Sequence, residues 1–95
     1  MKYMVYHPLE PGMTAEDFKR ISQSFSKDPE IRGLRSFFNL SESKGVCILE
    51  APSRERLADW FRTNNLTYDT ILEVELEGEA GRIVEYHEPV TSHSR

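Results

Sequence analysis

The chain has 95 residues and 38% hydrophobic content, which is enough to enclose one core and too little for two. Its formal net charge of −4, without a block of lysine or arginine, disfavours nucleic acids and anionic membranes as partners. Cys47 is the single cysteine, which excludes an intrachain disulfide, and we expect a reducing, cytoplasmic setting.

The chain opens on residues 2–7 (KYMVYH), whose aromatic and β-branched side chains end at Pro8 and predict a first strand. The apolar stretch is too short for a signal peptide or a membrane span, so we expect neither. Turn chemistry at Gly12 follows, and Thr14 with Asp17 three residues later resembles a capping box. The first helix is therefore predicted to begin at Thr14.

Three apolar residues recur in this helix at spacings of three and four, namely Phe18, Ile21 and Phe25. They form one stripe, which we expect to pack on a sheet. Pro29 disfavours helical geometry at the residue before it and ends the helix. The next extended run, residues 34–40, is the predicted second strand.

A polar turn at residues 41–45 (SESKG) separates the second strand from the apolar residues 46–50. The two runs therefore predict an antiparallel hairpin. Ser53 is the predicted N-cap of a second helix, and Asn64 suits its C-terminal end. The apolar stripe of this helix has three members, Leu57, Trp60 and Phe61.

Apolar and acidic side chains alternate in the later half of residues 70–76, which predict the fourth strand. Residues 82–86 suit either a short fifth strand or an arm lying across a neighbouring subunit. We expect one domain over residues 1–88 and a frayed tail over residues 89–95.

The order of these elements is βαββαβ, which is the ferredoxin-like α+β pattern. In this fold two helices cover one face of a four-stranded antiparallel sheet, and the other face stays open. An open apolar face would add stability to a small domain through association. We therefore expect a homodimer formed through this face.

Four side chains suited to chemistry belong to the strands. If Met4 faces the helices, His7 lies on the open face, and Cys47, Glu73 and Glu75 can share that face. Imidazole, thiolate and carboxylate are ligands for transition metals. The sequence thus makes His7, Cys47 and Glu73 candidate ligands of a transition metal such as zinc, nickel, copper or iron.

Each candidate also has an ordinary structural role. His7 can be a hydrogen-bonded surface group, Cys47 a small buried side chain, and Glu73 a solubilising charge. Trp60 can belong to the core or to a pocket wall. The sequence contains no glycine-rich phosphate loop, nucleophile elbow, HExxH pair or CxxC motif. We assign no catalytic residue, and a non-enzymatic role is favoured.

Four segments carry a family resemblance: residues 2–7, 12–14, 47–53 (CILEAPS) and 68–74 (YDTILEV). Together they resemble the small nickel-binding, ferredoxin-like proteins grouped as domain of unknown function 4242. The resemblance implies a dimer of facing sheets with metal at histidine-rich positions, and His7 matches the histidine of strand one. Members often carry histidines in both helices, where this chain has residues 21–23 (ISQ) and 59–61 (DWF).

The architecture is also similar to that of dimeric αβ-barrel monooxygenases, isomerases and haem-degrading enzymes. That similarity implies an apolar pocket lined by His7, Tyr3, Tyr6 and Trp60, with His7 as a general base or haem ligand. Tyr3 and Trp60 are therefore candidates for binding a cofactor or ligand. A purely structural or ligand-sensing dimer is the third alternative, because fold alone does not transfer function.

Overall fold

The computed structural model describes residues 1–25 and 27–86. The elements are β1 (Lys2–Pro8), α1 (Ala15–Ser24), β2 (Arg32–Asn39), β3 (Lys44–Glu50), α2 (Arg54–Thr63), β4 (Thr70–Glu73), β5 (Leu76–Glu79) and β6 (Arg82–Glu85). The predicted domain end at residue 88 and the predicted tail over residues 89–95 lie outside the described residues.

The main sheet has four strands in the order β2-β3-β1-β4, and every neighbouring pair is antiparallel. β1 lies inside the sheet, where Val5 is opposite both Cys47 of β3 and Ile71 of β4. This is the predicted ferredoxin-like α+β arrangement, which the structure confirms.

The helix starts lie where the capping residues predicted them. Thr14 Oγ1 accepts a hydrogen bond from the Asp17 amide at 3.2 Å, and Asp17 Oδ2 accepts one from the Thr14 amide at 2.9 Å. Ser53 Oγ accepts from the Arg56 amide at 3.1 Å, at the start of α2. These side chains satisfy backbone donors that the first helical turn leaves free, so both predicted helix starts are confirmed.

α2 and the sheet enclose the hydrophobic core, whose members are Tyr3, Val5, Leu49, Ala51, Leu57, Phe61 and Ile71. Tyr3 and Val5 are 1% and 0% exposed, so their side of β1 is the side that α2 covers. Met4 and Tyr6 therefore lie on the open face, and the expectation that Met4 faces the helices is wrong. Both sides of β1 are apolar, and packing against α2 decides between them.

α1 is attached to the rest of the fold mainly through aromatic contacts at its two ends. The Phe18 ring stacks on Phe38 of β2 with 4.2 Å between ring centroids, and Phe25 meets the Trp60 ring edge-on at 5.6 Å. None of the side chains described for α1 belongs to the buried core. The predicted apolar stripe does turn toward the sheet, and the aromatic contacts described here lie at its two ends.

The predicted fourth strand ends earlier than its alternating pattern. The Val74 amide donates to the Lys2 carbonyl at 2.9 Å, and Lys2 is the first residue of β1. β1 does not extend past this point, so the chain that follows β4 has no strand of the main sheet with which to pair. The strand predicted over residues 70–76 is therefore split, and β5 begins a separate hairpin.

β5 and β6 form a two-stranded hairpin apart from the main sheet. Its turn residues Ala80 and Gly81 have φ values of 52° and 83°, the left-handed values that a tight two-residue hairpin turn requires. Lys2 Nζ ties the hairpin to β1 by contacting Glu77 Oε1 at 2.7 Å. The segment predicted over residues 82–86 thus pairs with β5 and is not a fifth strand of the main sheet.

Candidate functional site

A cavity of about 770 Å³ lies between the two helices and the covered face of the sheet. α1 contributes Phe18 and Ile21 to its walls, α2 contributes Trp60, and β1 and β3 contribute His7 and Cys47. The volume falls within the range of about 300–1,000 Å³ that small-molecule sites occupy. We call this space the helix–sheet cavity.

Three polar side chains of neighbouring strands meet at the helix–sheet cavity, and we call them the thiol–imidazole cluster: His7, Ser36 and Cys47. His7 Nε2 lies 3.1 Å from Cys47 Sγ, and Ser36 Oγ donates to the same sulfur at 3.2 Å. Ser36 is directly opposite Cys47 in the register of β2 and β3. His7 lies on the same face because it follows Val5, the residue opposite Cys47, by two positions.

Gly45 makes room for the imidazole. It lies opposite His7 in β3, and a Cβ at this position would stand 2.9 Å from His7 Cε1 and 2.9 Å from Phe38 Cδ1. Any other residue would therefore displace at least one of these two rings. The sequence pattern assigned Gly45 to the turn, but β3 already begins at Lys44 and Gly45 is buried within it.

Burial sets the charge states of the thiol–imidazole cluster. Desolvation lowers the pKa of His7 below 6.5. It outweighs a hydrogen bond to the Pro8 backbone and the charge of Asp69, which both raise this pKa. Desolvation raises the pKa of the Cys47 thiol above 9.0, against the hydrogen bond from Ser36. At neutral pH the pair is thus an uncharged imidazole beside a protonated thiol.

The donor atoms of His7 and Cys47 are spaced to bind one metal ion. With metal–nitrogen and metal–sulfur bonds of about 2.0 and 2.3 Å, two ligands stand about 3.1 Å apart at a right angle and about 3.5 Å apart in a tetrahedron. The distance of 3.1 Å between Nε2 and Sγ matches the first value. The two residues therefore fit a divalent metal, provided that the thiol gives up its proton.

Glu73 does not join this pair. It lies opposite Tyr3, four residues along β1 from His7, which corresponds to about 13 Å at the strand rise. Over residues 1–25 and 27–86, three or more His, Cys, Asp or Glu side chains nowhere form a group that would hold a metal ion. His7, Cys47 and Glu73 do lie on one side of the sheet, but it is the covered face and not the open face that was predicted, and Glu73 is at its other end.

The two residues predicted to bind a cofactor differ in their surroundings. Tyr3 belongs to the core, with its hydroxyl 3.4 Å from Met1 Sδ, and it does not line the helix–sheet cavity. Trp60 does line the cavity, with its ring edge-on to Phe25 and to Phe61 at 5.6 and 5.5 Å. Trp60 alone of the two is placed to contact a ligand there.

Sequence reasoning missed Ser36, Phe38 and Gly45 at this site. A register for the hairpin of β2 and β3 would have placed Ser36 opposite Cys47. Phe38 and Gly45 carry no chemical signal of their own, because they act by shape next to His7. Within the described part of the chain, neither helix has the length and apolarity needed to cross a bilayer.

Comparisons with known proteins agree with this fold. The family described as nickel responsive protein SCO4226-like matches residues 3–74. The crystal structure of SCO4226 from Streptomyces coelicolor A3(2) is similar with a TM-score of 0.72 and 21% identity, covering 82% of this chain and all of that one. No curated protein matches the chain. The hairpin of β5 and β6 lies beyond the residues that the family matches.

Proposed function

We propose that this chain, which belongs to the family of SCO4226-like nickel responsive proteins, binds nickel reversibly through His7 Nε2 and Cys47 Sγ. The observation that carries the proposal is the distance of 3.1 Å between these two donor atoms in the wall of the helix–sheet cavity. Burial keeps the imidazole uncharged at neutral pH, which is the form that binds metal ions.

The donor set favours late first-row metals. Imidazole suits nickel, copper and zinc, a thiolate favours softer ions, and nickel binds more tightly than manganese, iron or cobalt at a given site. Permanent structural sites usually supply four protein ligands. A site with two protein donors holds its metal more weakly and exchanges it, which suits a protein that responds to metal.

Nickel titration of the untagged protein, purified without chelator, tests this proposal. We expect a rise in melting temperature, since metal at 100 times its dissociation constant stabilises the folded state by about 2.7 kcal/mol. His7→Ala and Cys47→Ser should remove the rise. Glu73→Gln is the matched control, because it deletes a predicted ligand that lies away from the pair. A wild-type protein indifferent to saturating nickel and zinc refutes the proposal.

The proposal includes a homodimer formed through the open face of the main sheet. This face exposes three large apolar side chains, since Tyr6, Phe37 and Leu72 are 40%, 54% and 48% exposed. Exposed apolar patches of this kind mark sites of protein–protein contact. We expect Phe37→Lys to produce a folded monomer in sedimentation experiments. A wild-type protein that sediments as a monomer at high concentration rules out this interface.

A free thiol also needs reducing surroundings, so the proposal includes a cytoplasmic location.

An enzyme of the dimeric αβ-barrel type is a second candidate, and one observation favours it. The helix–sheet cavity reaches both His7 and Trp60, as such an active site would require. With its pKa lowered by burial, His7 would be an uncharged general base. Loss of a substrate-dependent reaction in His7→Ala, without added metal, would support this candidate over nickel binding.

A further inference from the structure

We propose that the helix–sheet cavity binds a small, uncharged, flat aromatic molecule with one hydrogen-bonding group. This binding site is distinct from the nickel site, since it uses the space above the thiol–imidazole cluster. Size, wall chemistry and charge lead to the same class of ligand.

The cavity is held open by contacts at both of its ends. Phe18 on Phe38 supports the beginning of α1, and Phe25 on Trp60 supports its end. Ile21 lies between these two contacts and lines the cavity. An amphipathic helix gains most of its stability by burying its apolar stripe. A ligand of about the thickness of an aromatic ring would complete that burial.

The walls are suited to a flat apolar body. Aromatic side chains make up much of the lining: Phe18, Phe25, Phe38, Trp60 and Phe61. One contacting pair is stacked, Phe18 with Phe38, and the other is edge-on, Phe25 with Trp60. Aromatic rings favour offset-stacked and edge-on contacts with further rings. A flat ring system makes such contacts with both pairs at once.

The charges around the cavity exclude an ionic ligand. Of the described residues that line it, the charged ones are Glu10 and Lys19, which have opposite signs and are both exposed at its margin. Beside the thiol–imidazole cluster, which is uncharged at neutral pH, the remaining polar lining consists of uncharged hydroxyls and amides: Ser22, Asn64, Asn65 and Thr67. Ser36 already donates its hydroxyl proton to Cys47, but the Asn65 amide and the Thr67 hydroxyl also line the cavity. Either can donate to a carbonyl or hydroxyl oxygen, so the ligand needs one such group.

The neutral naphthalene ketone Prodan is a suitable probe, because its emission shifts to the blue in apolar surroundings. Trp60 is the single tryptophan of the chain and lines the cavity. Energy transfer from Trp60 to the dye therefore reports binding at this site. We expect saturable binding of one dye per chain, with a blue shift and loss of tryptophan emission.

Variants that fill the cavity test where the dye binds. Gly33 lines the cavity and a Cβ there would meet no atom within 4 Å, so Gly33→Leu is chosen to extend a side chain into this space. Ser22→Leu fills the cavity from α1 instead, and serves if Gly33→Leu folds poorly. We expect each to weaken Prodan binding at least tenfold. Ile83→Ser, on the β5–β6 hairpin where Ile83 is 65% exposed, is the control that should bind as the wild type does.

Absence of saturable binding to the wild type overturns the inference. Binding that survives in both filled variants, or that is lost in Ile83→Ser alone, also overturns it, because the dye then lies on another surface. The nickel-dependent rise in melting temperature is measured in Gly33→Leu as well. Gly33→Leu leaves His7 and Cys47 in place, so failure of the aromatic site and failure of the nickel site are told apart.

Discussion

The two helices should differ sharply in how much their apolar stripes stabilise the fold. Leu57 of α2 is 0% exposed within the core, whereas Ile21 of α1 lines the helix–sheet cavity and is only partly buried. Truncating each residue to alanine therefore measures whether α1 is packed on the sheet or stands above an open space.

The structure sets the size of the two effects. Leu57→Ala removes fully packed atoms and leaves a hole, which costs about 3 kcal/mol within the usual range of about 2–5. Ile21→Ala removes three carbons that would cost about 2.4 kcal/mol if fully buried, and about half of that here. Alanine returns roughly 0.4 kcal/mol through its better helix propensity. The net cost is about 1 kcal/mol or less.

Urea unfolding followed by far-ultraviolet circular dichroism measures this difference. At a slope of about 1.5 kcal/mol per molar urea, Leu57→Ala should lower the midpoint by about 2 M and Ile21→Ala by less than about 0.7 M. Ile83→Ala is the matched control, because it deletes the same atoms from a side chain that is 65% exposed. We expect it to change stability by less than about 0.5 kcal/mol. An Ile21→Ala effect as large as that of Leu57→Ala would mean that α1 is packed tightly and that the cavity is closed in solution.

Three other predictions concern protons and the hairpin. Because burial raises the pKa of the Cys47 thiol, nickel binding should release about one proton and strengthen as pH rises. Calorimetry in buffers of different ionisation enthalpy measures the number of protons released. An affinity for nickel that does not depend on pH excludes the thiolate as a ligand. Burial lowers the pKa of His7, so the unfolded chain binds its proton more readily: stability is complete above pH 6.5 and declines as pH falls from there, and His7→Gln should flatten this decline in urea unfolding. An equal decline in both proteins would contradict a desolvated His7. Ala80 has a φ of 52°, a left-handed value that favours glycine, so Ala80→Gly should stabilise the hairpin by about 1 kcal/mol. The Tyr86 amide donates to the Glu75 carbonyl, and its hydrogen exchange should become slower. Unchanged or faster exchange would contradict the turn geometry.

Local signals located most of the secondary structure. Thr14 with Asp17 and Ser53 marked the helix starts because a cap acts over three residues, within reach of the chain's own neighbours. The order of strands and helices led to the ferredoxin-like arrangement for the same reason, since each element carries its own periodicity. The resemblance centred on residues 47–53 led to the nickel responsive family, which the match over residues 3–74 confirms.

The site was only partly predictable. Strand alternation placed His7 and Cys47 on one face, and the structure brings their donor atoms to 3.1 Å. Alternation says nothing about position along a strand, so Glu73 was added wrongly to the group. The apolar stripe of α1 was expected to pack on the sheet, but it lines the helix–sheet cavity. A periodic pattern of apolar residues looks the same for a packed core and for the wall of a cavity.

By itself, then, the sequence determined the helices with their caps and the strands of the main sheet. Tertiary structure alone decided which face of β1 is covered, where β4 ends and that α1 stands above a cavity. The physical reason is distance: capping and alternation act between residues close in the chain, whereas burial of Tyr3 and Val5 depends on α2, some fifty residues away. The neutral charge states of His7 and Cys47 follow from that same burial.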